Sequence, residues 1–285
     1  MTVFEVVDET RRHAELRDRI REILHTVAPH AADTTGLPLP AQVRYRLLTP
    51  KAWREETRLN TQHILARDIA DLDLTPPEIK ATRAVIKVAG VGPTLVWPLV
   101  LGSTQRAADG QRETIITPKA LRHAGLLADD PALHQMVAHE LVHHLQAEAR
   151  SGAVWKTFFP GKRDLGNIPR ESFTLVLEGH ATWADRQVTR HLFGTPADHR
   201  LARKSWRYQL HRSIPGIHHL GPDPEAYERG AALIERLMES HGTHGINRIW
   251  KDASLLPTTK EIADPDAWGH RLNQDHGPHT VPTVS

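Results

Sequence analysis

The chain has 285 residues, enough to bury a full core, and its 39% hydrophobic and 25% charged residues are the balance of an ordinary globular protein. Its 36 basic and 34 acidic residues leave a net charge of +2, with the basic ones spread along the chain, which argues against a nucleic-acid partner. There is no cysteine, so disulfides and thiolate chemistry are excluded and any metal has to be held by histidine and carboxylate.

Residues 3 to 28 read as an amphipathic helix with His13, Leu16, Ile20, Leu24 and Val27 on one face, ended by Pro29. A Pro/Gly/Thr-rich connector follows from Ala31 to Pro40. Gln42 to Leu47 alternates as a strand, and helical stretches at about 51–71 and 76–89 come next, with Pro76 and Pro77 between them. Leu95 to Leu101 and Glu113 to Thr117 read as strands joined through a polar loop from Gly102 to Gly110. The N-terminus has Glu5, Asp8 and Glu9 and no basic region leading into an apolar run, and the longest apolar run, Thr94 to Leu101, contains Pro98. A cytoplasmic protein with no membrane partner is the expectation.

The next helix carries the chemistry. Pro131 at its first position after Asp130, then Leu133, Met136, Val137, Leu141 and Leu145 at three- and four-residue intervals, predict a helix over about 131–150 that ends near Ser151 and Gly152. Within it lies His139-Glu140-Leu141-Val142-His143. Residues four apart share a helical face, so His139 and His143 can turn one ring nitrogen each to the same ion. Glu140 is rotated by about 100° from His139, near enough to reach a water on that ion without binding the ion itself. That is the position of a general base.

A catalytic zinc commonly takes three protein ligands, so a third donor is expected downstream. Glu178 is the candidate, in a second helical pattern of Phe173, Val176, Leu177, Ala181, Ala184, Val188 and Leu192 closed by Gly194 and Pro196. A carboxylate among such neighbours is costly unless paired or metal-bound. Gly179 and Ala181 would let this helix approach the first one closely. His180 is the rival ligand, on nearly the opposite side of the helix. Asp185, two turns beyond Glu178 on its face, could orient a ligand histidine or make a plain surface ion pair.

The C-terminal third reads as helical near 197–213 and 224–241, and 271–285 is polar, His/Pro-rich and expected to be disordered. His211, His218, His219, His241 and His244 have no helical i, i+4 pair, so solvated loop histidines are preferred to a second metal site. One of them, or Tyr208 or Tyr227, could stabilise an oxyanion, whereas Tyr45 reads as a strand residue.

The segments HELVHHLQ (139–146), LVLEGHATWADR (175–186) and NRIWKDASLLPTTKEIADPDAW (247–268) together resemble a zincin-like metallopeptidase family common in actinobacteria, over roughly residues 40–270. The HExxH is generic, while the EGHA helix and the NRxW tail are more specific. The resemblance implies an α+β zincin-like fold: a small mixed sheet with the HExxH helix, followed by a mainly helical C-terminal subdomain. It divides the chain into an N-terminal helix and connector (1–40), an upper subdomain (41–152), a helical lower subdomain with the third ligand (153–270) and a tail (271–285). It also implies Zn2+ held by His139, His143 and Glu178 with Glu140 as base. Thr182 stands where better-known gluzincins often have an aspartate, so Thr182 or Asp185 would have to orient the ligands.

The expected reaction is hydrolysis of a peptide or amide bond by a zinc-activated water. A metal enzyme acting on a non-peptide small molecule and a non-catalytic interaction protein of the same fold are the alternatives. Oligomeric state and substrate identity are open. The strand at 113–117 is expected to be a free edge on which an extended peptide could pair.

Overall fold

The computed structural model describes residues 1–71, 75–77, 79–80, 96–107, 110–150, 168–169, 171–198, 200–214 and 224–274, of 64, 65 and 67–71 the backbone alone. The chain opens with strand β1 (Val3–Asp8), helix α1 (Ala14–Thr35), strand β2 (Gln42–Leu47) and helix α2 (Pro50–Asp71). Strands β3 (Gly102–Arg106) and β4 (Arg112–Ile116) and the short helix α3 (Pro118–Ala124) lead to α4 (Asp130–Ala149). Helices α5 (Glu171–Phe193), α6 (Trp206–Arg212), α7 (Pro224–Ile249), α8 (Thr259–Ala263) and α9 (Pro265–Asn273) follow. The fold is α+β, a small four-stranded mixed sheet with a mostly helical remainder, as expected from the sequence. No helix among the described residues is long and apolar enough to cross a membrane.

Two expectations for the N-terminal region are corrected. Residues 3–8 form a strand, not the first turns of a helix, and pair in parallel with β2 in the register Val3 to Gln42 through Asp8 to Leu47. The break comes at Asp8, whose carboxylate accepts hydrogen bonds from the backbone N–H groups of Thr10 and His13 and from the Thr10 hydroxyl. Helix α1 then runs through Pro29 instead of ending there, because Val27, Ala28, Ala31 and Thr35 continue its buried face. It stops at Gly36, whose positive φ of 64° makes the C-terminal turn.

The sheet order is β1-β2-β4-β3, with β3 antiparallel to β4 and the other pairs parallel. The strand expected at 113–117 is present as β4 but is interior, flanked by β2 and β3, so it offers no free edge. The edge on this side of the sheet is β3, which lies in the segment read as a loop; 96–99 forms a helical turn in place of the expected strand. The second helical stretch expected at 76–89 lies largely outside the described residues; of the tail expected from 271, residues 271–273 instead complete α9, and those beyond 274 lie outside the described residues. The expected helix at 197–213 shortens to α6, and that at 224–241 lengthens to α7, through a non-helical Gly242.

Helix α4 is almost wholly interior, with Leu133, Val137, Leu141, Val142 and Leu145 fully buried, so the apolar stripe read from the sequence is its core face. The Asp129 side chain, not Asp130, caps it by accepting from Ala132 N–H at 3.0 Å, with Pro131 in the first turn. The Tyr45 hydroxyl of β2 donates to Val137 O at 3.1 Å and ties the helix to the sheet.

Glycine fixes how α5 meets α7. A Cβ on Gly179 would lie 2.3 Å from the carbonyl carbon of Gly230, and one on Gly230 would lie 2.4 Å from Leu175 O. The small residue at 179 therefore serves the crossing with α7 and not, as expected, an approach to α4. The C-terminal segment closes over this pair with Trp250 and Trp268 fully buried. Asn247 donates to Thr35 O at 2.9 Å, and the Thr258–Glu261 capping box with Arg271 on the Glu261 carboxylate orders the last helices.

Candidate metal centre

His139 and His143 lie one turn apart on α4, their rings 4.9 Å apart and nearly perpendicular, and α5 carries Glu178 against them. Glu178 Oε2 is 3.4 Å from His139 Nε2 and 3.4 Å from His143 Nε2. The three donor atoms all lie within 4.8 Å of one another, and no other group of three such side chains converges among the described residues. Zinc–ligand bonds of about 2.05 Å at the tetrahedral angle would put neighbouring donor atoms about 3.3 Å apart. The donor set and its spacing therefore fit a zinc ion with a coordination position left open.

Each histidine spends its other nitrogen on a partner that fixes the tautomer. His139 Nδ1 donates to Asp185 Oδ2 at 2.9 Å, and Asp185 Oδ1 accepts from Gln135 Nε2 at 3.0 Å. His143 Nδ1 donates to Gln146 Oε1 at 2.9 Å, while Gln146 Nε2 donates to Leu177 O at 2.9 Å. Both Nε2 atoms are thereby left facing Glu178, the outer-shell arrangement that a histidine ligand needs. Of the two candidates for this role, Asp185 fills it; the buried Thr182 hydroxyl has no hydrogen-bond partner among the described residues.

Burial alone would lower the His139 pKa, but the carboxylates of Asp185 and Glu178 hold it well above the ordinary value. Burial would raise that of Glu178, and the two imidazoles hold it far below the usual carboxylate range. Without an ion the site is thus a compensated cluster of opposite charges, which is how a buried carboxylate is tolerated.

His180 points away from this group. It is fully buried beside Trp183 and Trp250, and its Nδ1 accepts from Gln146 Nε2 at 3.2 Å. Burial, with His143 nearby, pushes its pKa down to about 3, so it is neutral. The 200° of helix between residues 178 and 180 accounts for this placement.

Glu140 lies on the sheet side of α4, 6% exposed, where its Oε2 accepts from the Thr104 hydroxyl at 2.6 Å. The Tyr227 ring stacks on His139 with centroids 6.1 Å apart, whereas Tyr208 lies under Lys204 on α6 and packs on the core. His241 and His244 fall in α7 and His211 in α6; His218 and His219 lie outside the described residues. Sequence reasoning missed Gln146 and Thr104. The first had a signal, a polar residue three positions after His143 inside a buried stripe; the second had none, because its strand is polar throughout.

Residues 176–268 match a family model described as zincin-like metallopeptidase. The match includes Glu178, Asp185 and the 247–268 segment and stops short of His139 and His143. No curated protein matches the chain significantly. Among solved structures, the chain is similar to one from Chloroflexus aurantiacus described as "a putative hydrolase with a novel fold", at a TM-score of 0.65 and 17% identity over 93% of this chain and 92% of the other. That likeness establishes a shared fold.

Proposed function

We propose that this chain is a zinc-dependent hydrolase that cleaves peptide or amide bonds, with His139, His143 and Glu178 as the ligands and Glu140 as the general base. The observation that carries the reading is the pair of 3.4 Å separations from Glu178 Oε2 to the two imidazole nitrogens, the spacing of a tetrahedral zinc shell. The family matched by residues 176–268 and the hydrolase description of the structural neighbour support it.

Zinc bound there would supply a Lewis acid and a water of near-neutral pKa. The protein's own part is to orient and to move a proton. Glu140 Oε2 is held by Thr104, so Oε1 is the atom positioned to take the proton of the attacking water and pass it to the leaving amine. Asp185 and Gln146 keep the ligand imidazoles in one tautomer throughout. Tyr227, whose ring stacks on His139, is our candidate for donation to the oxyanion that would develop on the scissile carbonyl. The substrate pairs along β3, the sheet edge beside Glu140, as an added strand.

The test is cleavage of a mixed peptide library by the zinc-loaded chain and by Glu140→Gln. The wild type cleaves, and the variant keeps its zinc while turnover nearly disappears. A wild type that holds zinc and cleaves nothing sinks the reading, and loss of zinc from Glu140→Gln makes Glu140 a ligand.

A further inference from the structure

Gly102 and Thr104 lie two residues apart on β3 and so present to the same face of the sheet, the one against α4. A Cβ at position 102 would sit 2.6 Å from Glu140 Oε1 and 2.7 Å from its Cδ and Cγ, so glycine is what leaves room for the carboxylate. Two residues on, the Thr104 hydroxyl is 2.6 Å from Glu140 Oε2 and 2.7 Å from the Thr114 hydroxyl of the neighbouring strand. The Thr114 hydroxyl is in turn 2.9 Å from His144 Nε2, back on α4.

The direction of every bond in this series follows from the first. An ionised carboxylate only accepts, so Thr104 donates its one hydroxyl proton to Glu140. Its oxygen must then accept from Thr114, and Thr114, its own proton committed, must accept from His144 Nε2–H. His144 is 2% exposed, and its Nε2 has the Thr114 hydroxyl as its hydrogen-bond partner. The Tyr45 ring stacks on it at 5.8 Å, and the Tyr45 hydroxyl, which also lies beside the Thr114 side chain, donates its proton to Val137 O.

We propose that Thr104 is a positioning residue for Glu140, the terminal donor of a one-way hydrogen-bond series from His144 through Thr114 that fixes Oε2 and presents Oε1 to the reacting water. The last clause rests on the reading of Glu140 as the base; the series itself does not. A glutamate's final torsion is broad and nearly two-fold, so without a donor on one oxygen the base would sample many orientations. A charge-assisted O–H···O bond of this length selects one of them. The donor comes from the edge strand, so a peptide added to that edge would stiffen the element that aims the base.

The experiment uses zinc-loaded full chain with Thr104→Val, which keeps the shape and removes the hydroxyl, and Thr104→Ser, which keeps the hydroxyl. Zinc content, Tm, the His144 ring-nitrogen NMR signals, and kcat and KM on a peptide cleaved by the wild type are compared. Thr104→Val should retain zinc and Tm, lose about 10- to 100-fold in kcat with KM within about twofold, and shift the His144 Nε2 signal. Thr104→Ser should recover most of kcat. In the wild type His144 should be the Nε2–H tautomer. A wild-type Nδ1–H tautomer, or a Thr104→Val kcat equal to wild type, overturns the proposal. A wild type with no turnover but an Nε2–H His144 that responds to Thr104→Val would sink the hydrolase reading while sustaining the series.

Discussion

The two sides of α4 are restrained by different chemistry. Toward α5, His139 and His143 are held by a carboxylate and a primary amide, Asp185 and Gln146, and face a second carboxylate, Glu178. Toward the sheet, Glu140 is held by the hydroxyl of Thr104, behind which stand another hydroxyl and a neutral imidazole. The side toward α5 collects charge, as the proposed binding of an ion there would require, with each candidate ligand histidine held in one tautomer. Toward the sheet a strand hydroxyl holds the Glu140 carboxylate without bringing a full positive charge to it, as Lys or Arg would. One helix thus carries two differently restrained clusters, and the residues that restrain them come from different elements.

Four experiments would break or sharpen this contrast. The largest effect is expected on the ligand side: His139→Ala and His143→Ala should each lose stoichiometric zinc by elemental analysis, as should Glu178→Gln to a lesser degree. Retention of zinc in both histidine variants, or a loss only with His180→Ala, would redraw the site. Gly179→Ala comes next, because its methyl would sit 2.3 Å from Gly230 backbone. Overpacking of this kind costs about 3 kcal/mol, and urea unfolding should show it. An unchanged midpoint would mean that the crossing does not set the position of Glu178.

Asp185→Asn keeps the side chain's shape but weakens its hold on His139 Nδ1, and zinc affinity in a competition titration should fall about 10- to 100-fold. An unaltered affinity would make Asp185 a packing partner only. The smallest effect is in pH. His144 on the base side and His180 on the ligand side are both neutral, with pKa values held near 3 by burial. In the metal-free chain each contributes stability that is present above the unfolded value of about 6.5 and is lost as pH falls toward 3, at about 1.4 kcal/mol per pH unit. Between about pH 6 and 5, His139, whose folded value is raised, is protonated folded and largely so unfolded, and Glu178, whose value is depressed, is ionised in both states, so neither adds much slope. His144→Gln and His180→Gln should each flatten the dependence measured by urea unfolding; a slope unchanged in both would place the charge elsewhere.

The candidate ligand cluster was largely legible in the sequence and the surroundings of Glu140 were not, for a physical reason. His139, Glu140, His143, Glu178 and Asp185 all lie on two long helices, where periodicity alone says which residues share a face. Thr104 and Gly102 lie on a strand of composition GSTQR, with no apolar alternation to mark it. Its existence comes from pairing with β4 and packing on α4, a tertiary effect that local propensity does not carry. The strand β1 was hidden differently, because its partner β2 is more than thirty residues away and its apolar residues extend the pattern of the helix that follows. Asp8, followed by Thr10, was the available sign of the break.

If substrate pairs along β3 as proposed, that edge would also act as a ruler. Among the described residues its outer side carries no strand, and it is five residues long. At about 3.3 Å per residue it can register roughly 17 Å of extended chain, and at Arg106 the ladder turns back through Gly110 into β4. A peptide laid on it would be gauged over about five residues and left ungauged beyond them, whatever its total length.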